Sequence, residues 1–313
     1  MNEGNGGIGL KPIIIDVDTG IDDALAMSYA LNSPELELLA FTTCFGNVSV
    51  EEATRNTLAV LEKAGKKVPV YAGADQSFNG RIKTRSAKHV HGEDGLGNTL
   101  TQEPLAKEES QFAPDFMVQQ VKNRPHEITI ITVGPLTNLA LAIKSAPEII
   151  PHVKEVVVMG GAVKVPGNVN AYAEANIFAD PEAAEFVLSS GLPVTLVGLD
   201  VTMQTLLPKS KLDEWRAAGN EMARFLADMT QFYISYYESS YHDIGGCALH
   251  DPLAVAAAID PSFVSTETMS VKVSIEGEEA GRTVGYPEGE PKVRVCTEVD
   301  AERFLEHFLS RVV

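Results

Sequence analysis

Cysteine is scarce in this sequence: Cys44, Cys247 and Cys296 are the only three in 313 residues, and none belongs to a CxxC pair. The scarcity excludes a disulfide-stapled fold and a cysteine-ligated zinc site, and it fits a reducing compartment. Long apolar runs are missing too. No stretch approaches the ~20 residues of a membrane-spanning helix, and the N-terminal MNEGNGGIG has neither the basic start nor the apolar core of a signal peptide. A cytoplasmic protein with no membrane partner is predicted. Basic charge is also in short supply, with 25 Lys+Arg against 43 Asp+Glu and a net charge of −18. A field of that sign repels phosphate backbones, which excludes a nucleic-acid polymer as partner.

The hydrophobic content, 44%, is ample for a large core and excludes a disordered or fibrous chain. Short β-branched runs alternate with longer stretches of helical period. The strands predicted are KPIIIDVD, LELLAFTTC, VPVYAG, EITIITV, VKEVVVMG and PVTLVGL, apolar enough to be covered on both faces. Between them lie helices such as IDDALAMSYALN, SVEEATRNTLAVLEKAG with Ser49 and Glu52 at capping-box spacing, PLTNLALAIKSAP, and DPEAAEFVLSSG with Asp180 as N-cap. The succession predicts an α/β fold with one doubly wound, mostly parallel sheet. No linker or fixed-period repeat divides the chain, so residues 1–10 read as a flexible tail and 11–313 as a single domain. The last third adds a helical run from Asp213 to Tyr241, a short helix after His250, strand-like MSVKVSI and KVRVC, and a final helix, all placed as additions to the same domain. Residues 73–110 form a long polar stretch, of a length usually reserved for function. GNGGIG spells GxGxxG but precedes the first strand instead of following it, so it is no dinucleotide fingerprint.

The strongest chemical signal is IIIDVDTGIDDA. Asp16 and Asp18 sit two apart at a strand's carboxyl end, and Asp22 and Asp23 open the next helix. First-turn acids alone are ordinary, because the helix dipole favours them. Four carboxylates together are not, since residues 12–54 contain no Lys, Arg or His. Buried carboxylates without basic partners must be protonated or bridged by a cation, and oxygen-only ligation favours Ca²⁺ or Mg²⁺ over zinc. The spacing is not that of an EF-hand loop. A Mg²⁺-dependent haloacid-dehalogenase-like phosphatase would carry Thr or Val where this chain has Gly20, and stays as an alternative.

DVDTGIDDA resembles the N-terminal signature of the inosine-uridine nucleoside N-ribohydrolases. FGN at 45–47, HGEDGLGN at 91–98, VGPLTNLA at 133–140, MGG at 159–161, AEANIFADPEAA at 173–184 and HDPLAVA at 250–256 agree with the family in order along nearly the whole chain. The resemblance implies hydrolysis of the N-glycosidic bond of a small-molecule nucleoside, and a homo-oligomer, tetramer or dimer. It implies one Ca²⁺ held by Asp18, Asp23, the carbonyl of Val133 and Asp251, with Asp18 as general base on a Ca²⁺-bound water. It carries His250 over as leaving-group acid, and Asp22, Asn47, Met159, Asn168, Glu174 and Asn176 as the grip on the ribose. Read alone, Asp251 and Pro252 would be an ordinary N-cap and first helical residue, and Glu174 and Asn176 two polar groups on one side of an extended segment. His91 is expected near sugar or base, on a loop that Gly92, Gly95 and Gly97 could let close. Tyr233, Tyr237 and Tyr241 recur every four residues, either as a core stripe or as a wall against the nucleobase, with Tyr237 and Tyr241 taken as substrate contacts and His242 adjoining. Purine-specific relatives stack the base between tryptophans, and the single Trp215 lies outside these motifs, which favours a pyrimidine-preferring or nonspecific enzyme. A non-catalytic Ca²⁺- or sugar-binding protein of the same fold is the other class that the motifs allow.

Overall fold

The computed structural model describes residues 9–80 and 86–313. GNGGIG and the proposed tail therefore lie almost wholly outside the described residues, as does the segment 81–85.

The first strand, β1 (Lys11–Val17), buries Ile13, Ile14 and Ile15 completely. Each such side chain contributes about 1.5–3 kcal/mol by leaving water. Alternation sends Ile13, Ile15 and Val17 into one hydrophobic cluster and Ile14 into another on the opposite face of the sheet. Two cores, one per face, make the fold doubly wound.

From there the chain runs through α1 (Ile21–Leu31), β2 (Leu36–Thr43), α2 (Val50–Lys63), β3 (Val70–Ala72), α3 (Lys88–His91) and α4 (Ala113–Asn123). It continues with β4 (Thr129–Thr132), α5 (Thr137–Ser145), β5 (Glu155–Met159), α6 (Ala175–Ala179), α7 (Pro181–Leu188), β6 (Val194–Val197) and α8 (Leu199–Thr202). The last third holds β7 (Leu206–Pro208), α9 (Lys211–Ala217), α10 (Glu221–Ser240), β8 (Gly246–Ala248), α11 (His250–Ile259), β9 (Val264–Val273), β10 (Thr283–Tyr286), β11 (Val293–Val299) and α12 (Ala301–Leu309).

The main sheet has the order β10-β9-β11-β6-β5-β4-β1-β2-β3. Strands β1 to β6 are parallel to their neighbours in it, as is β11 to β6, whereas β9 runs antiparallel to β10 and β11. The order reverses between β1 and β4, and the crevice at the carboxyl ends of such a pair is where open α/β sheets take ligands. β1 delivers Asp16 and Asp18 to that crevice, and β4 delivers Val133.

All six strands expected from the sequence form, and the caps at Ser49 and Asp180 are made as expected. The C-terminal third forms strands where the sequence predicts them. MSVKVSI and KVRVC become β9 and β11, which lengthen the main sheet, so the additions are strands as well as helices. The helical run from Asp213 is broken at Gly219, whose φ of 80° no helix accommodates. The helix α4, opened by Pro114 in its first turn, follows the long polar stretch and was not anticipated.

Candidate active site

Asp18 follows the last residue of β1, and its carboxylate is held from one side only. Oδ2 accepts the Asn47 N–H at 2.7 Å, whereas the buried Oδ1 accepts nothing among the described residues. Two glycines make room for it: a Cβ on Gly46 would stand 2.0 Å from Oδ2, and one on Gly134 would stand 2.9 Å from Oδ1. Gly46→Ala is accordingly expected to displace Asp18 and lower any catalysis that depends on its carboxylate at least tenfold while the fold is retained, measured by steady-state kinetics with circular dichroism as control.

Asp23 lies behind Asp18. Its Oδ1 accepts the Asp18 N–H at 3.1 Å, and its Oδ2 accepts the Gly20 N–H at 3.0 Å and the Asn47 side-chain amide at 3.2 Å. It thus closes the first turn of α1 while carrying charge toward the crevice. Asp22 reaches across to another helix, with Oδ2 accepting the Asp251 N–H of α11 at 2.9 Å. That contact settles the ordinary reading of Asp251. The residue before α11 is Leu249, which has no side-chain cap, and Asp22 supplies the acceptor instead. Asp251 is inside the helix, not its N-cap, and its carboxylate lines the cavity. Asp16 points to the far side, accepting from Thr42 Oγ1 at 2.6 Å and Asn138 Nδ2 at 2.8 Å, and burial pushes it up to about 7.

Burial pushes Asp18, Asp22, Asp23 and Asp251 above the usual carboxylate range, and for Asp18, Asp22 and Asp251 the charge of neighbouring carboxylates pushes further. Oδ1 of Asp18, Oδ1 of Asp22 and Oδ2 of Asp16 are buried without a hydrogen-bond partner among the described residues. Anionic oxygens in that condition need a proton or a cation. Among the described residues no three His, Cys, Asp or Glu side chains close around one point. The case for a cation is therefore the chemistry of the donors and not a formed cage. Asp18, Asp23, Asp251 and the Val133 carbonyl are a hard, all-oxygen set of the kind Ca²⁺ accepts. That carbonyl also accepts Asn176 Nδ2 at 2.8 Å, which leaves it a second lone pair.

Glu174 and Asn176 do not lie on an extended segment. Glu174 is the N-cap of α6, accepting the N–H groups of Asn176, Ile177 and Gly161 at 3.0–3.1 Å, and Asn176 sits in the first turn. The short run Ala-Asn-Ile-Phe-Ala before Asp180 is helical because a carboxylate caps it. Asn176 Nδ2 is spent on the Val133 and Met159 carbonyls, so its Oδ1 is what remains for a ligand. Asn168 Oδ1 accepts the Ala175 N–H at 3.0 Å.

At the other end, the tyrosines of α10 meet two buried histidines. His91 stacks on Tyr233 with centroids 5.6 Å apart, and its Nδ1 accepts the Ile21 N–H at 3.0 Å. Burial lowers His91 to about 3, so the ring is neutral. A Cβ on Gly20 would meet that ring at 2.6 Å, which is why the residue after Thr19 is glycine. His250, lowered by burial to about 4, bonds Tyr237 OH through Nε2 at 2.6 Å and Thr202 Oγ1 through Nδ1 at 2.7 Å. The nitrogen expected to face a leaving group is thus engaged by Tyr237. Tyr241 stacks on Tyr237 at 5.4 Å.

The loop around His91 is tied by hydrogen bonds and close packing. Asp94 accepts the N–H groups of Leu96, Asn98 and Leu100, and a Cβ on Gly97 would meet the Met229 carbonyl at 2.8 Å. Gly92, Gly95 and Gly97 hold left-handed backbone, and their lack of a Cβ permits that packing.

All of these groups surround one cavity of about 370 Å³. Asp18, Asp22, Asn47, His91, Val133, Met159, Asn168, Glu174, Asn176, Tyr237, Tyr241, His250 and Asp251 line it, and Asp23 alone of the expected residues stands behind the wall. His242 is turned out to solvent, its side chain 95% exposed, and Trp215 is packed in the core. Phe178, Val90 and Tyr236 also line the cavity and went unremarked in the sequence. Thr202 went unremarked as well, because a threonine after a strand carries no signal until its neighbour is known.

The chain is similar to known proteins along nearly its whole length. The profile of the inosine-uridine preferring nucleoside hydrolases matches residues 13–306. The chain is 40% identical to the probable uridine nucleosidase 2 of Arabidopsis thaliana over 97% of its own length and 98% of that protein. It is 39% identical to the inosine-uridine preferring nucleoside hydrolase of Leishmania major, over 94% of this chain and 95% of that one. The solved purine-preferring ribonucleoside hydrolase from Gardnerella vaginalis superposes with a TM-score of 0.93 at 43% identity, over 96% and 98% of the two chains.

Proposed function

This chain belongs to the inosine-uridine preferring nucleoside hydrolase family and is an enzyme that hydrolyses ribonucleosides; from that premise we propose that it works with Ca²⁺, with Asp18 as general base, on pyrimidine nucleosides at least as well as on purine ones. The observation that carries the proposal is the buried Oδ1 of Asp18, without a partner among the described residues, in a residue that lines the cavity with Asp22, Glu174 and Asp251. Asp18, Asp23, Asp251 and the Val133 carbonyl would hold the ion. When bound, Ca²⁺ supplies Lewis acidity to the attacking water and an anchor for ribose hydroxyls.

The chain's own groups do the rest. Asp18 takes a proton from the water that attacks C1′. Asn176 Oδ1, Asn168, Glu174 and Asp22 fix the sugar so that C1′ faces the water, a positioning effect that can be worth many powers of ten in effective molarity. The base departs toward Tyr237, Tyr241 and His91.

The breadth of substrate rests on the base end being walled by tyrosine and histidine, with Trp215 elsewhere. Release of reducing sugar from uridine, cytidine, inosine and guanosine tests it. Comparable kcat/KM for uridine and inosine, or a preference for uridine, is expected. A hundredfold preference for inosine overturns the substrate proposal. We further propose that the chain forms a homo-oligomer, which sedimentation equilibrium checks.

A further inference from the structure

We propose that Thr202 is a positioning residue for the departing base: its hydroxyl fixes which nitrogen of His250 carries the proton and so aims the Tyr237 hydroxyl at the substrate. The inference rests on the reading above that the base leaves toward Tyr237.

Thr202 ends α8 at the carboxyl side of β6 and is wholly buried. Its backbone is pinned from both sides, with its N–H donated to Gly198 O at 3.1 Å and its carbonyl accepting the Thr205 hydroxyl at 2.8 Å. The same turn holds the chain leading into His250, because the Leu249 N–H donates to Thr205 O at 2.8 Å. Ring and backbone of the histidine are thus fastened to one short segment.

The single hydrogen-bond partner of Thr202 Oγ1 among the described residues is His250 Nδ1, at 2.7 Å. A hydroxyl must place its hydrogen somewhere, and a buried donor left without an acceptor is costly. If Nδ1 carried the imidazole proton, Thr202 would accept it and its own hydrogen would have no partner. With Thr202 as donor, Nδ1 is the acceptor and the proton resides on Nε2. Nε2–H then donates to Tyr237 oxygen at 2.6 Å. The Tyr237 hydrogen is thereby turned away from His250 and toward the cavity that this residue lines. Tyr233 OH, at 3.4 Å, is the other hydroxyl in reach and is too distant to hold that hydrogen strongly. The donor direction therefore runs from Thr202 through His250 and Tyr237 to the nitrogen or oxygen of the departing base, where negative charge develops. Without the Thr202 hydrogen the imidazole can turn over to its other tautomer. Tyr237 would then donate back to Nε2, and the base would face a lone pair where it needs a donor.

The test compares Thr202→Val, which keeps the shape and removes the hydroxyl, with Thr202→Ser, which keeps the hydroxyl. Each is assayed on uridine, on inosine and on p-nitrophenyl riboside, whose leaving group departs without such help. For Thr202→Val we expect kcat on uridine and inosine to fall 10- to 100-fold with little change in KM, and kcat on p-nitrophenyl riboside to stay within threefold. Thr202→Ser is expected to restore most of the loss. The imidazole ¹⁵N shifts of His250 should report the Nε2–H tautomer in the parent protein and a shift toward Nδ1–H in Thr202→Val. Unchanged kcat in Thr202→Val, an equal loss on all three substrates, or an Nδ1–H tautomer in the parent protein overturns the proposal. If the parent protein cleaves p-nitrophenyl riboside but the tautomer and the kcat ratio do not respond to Thr202, the positioning role fails while the hydrolase reading stands. If Tyr237→Phe leaves kcat on uridine and inosine intact, it is the direction of departure that fails.

Discussion

Asp18→Asn should lower kcat on uridine and inosine by about 10³-fold or more, and should at the same time make the chelated protein more resistant to heat. The first effect follows from the loss of a general base, which alone is typically worth about 10²–10⁴, together with a weakened cation site. The second follows from the environment. Asp18 is 1% exposed, one of its oxygens has no hydrogen-bond partner among the described residues, and its nearest charges are carboxylates. A group so placed raises the energy of the folded state whenever no cation is present. The amide keeps the volume and removes the charge. The measurement pairs steady-state kinetics with thermal melts in excess chelator. A variant retaining more than a tenth of parental kcat would remove Asp18 from the role of base. A melting temperature below that of the chelated parent would show that the carboxylate is not under electrostatic strain.

Removal and return of Ca²⁺ is the second large effect. Exhaustive chelation is expected to abolish nucleoside hydrolysis and lower the melting temperature by several degrees, and added Ca²⁺ is expected to restore both. Only the folded chain brings Asp18 and Asp23 of the first crossover within reach of Asp251, so the ion binds the native state and stabilises it by mass action, by about 2.7 kcal/mol at a hundred times its dissociation constant. The Gly46→Ala protein should gain less on Ca²⁺ addition, because a Cβ there intrudes on Asp18. Full activity after exhaustive chelation would sink the cation proposal. Recovery with Mg²⁺ but not Ca²⁺ would reassign the ion to Mg²⁺, which takes a smaller and more strictly octahedral set of oxygens.

Much of this was legible before any coordinates. The strand-to-helix run IIIDVDTGIDDA announced both a crevice and its chemistry, since a β-branched strand needs a covered sheet and four acids without a base need a cation or protons. The two residues easiest to misread were those whose environment is made by distant chain. Asp251 looked like a helix cap, and it is not one because Asp22, 229 positions earlier, fills that role. Glu174 and Asn176 looked extended, and a carboxylate cap turned them into a helix start. The glycines of HGEDGLGN suggest motion, whereas α10 packs against Gly97, and Asn56 and Val48 against Gly95.

What the sequence determined by itself is local: the alternation that makes parallel strands, the caps at Ser49 and Asp180, and the clustering of acids along one short segment. These depend on neighbours within a few residues, where periodicity and propensity act. Only the tertiary structure decided which side chain satisfies which. Asp22 serves the backbone of α11, Ile21 bonds His91, and Thr202 and Tyr237 meet on the two nitrogens of His250. Those pairings join residues from 13 to 229 positions apart, and a hydrogen bond is specified by distance and direction in space, which no spacing along a sequence encodes.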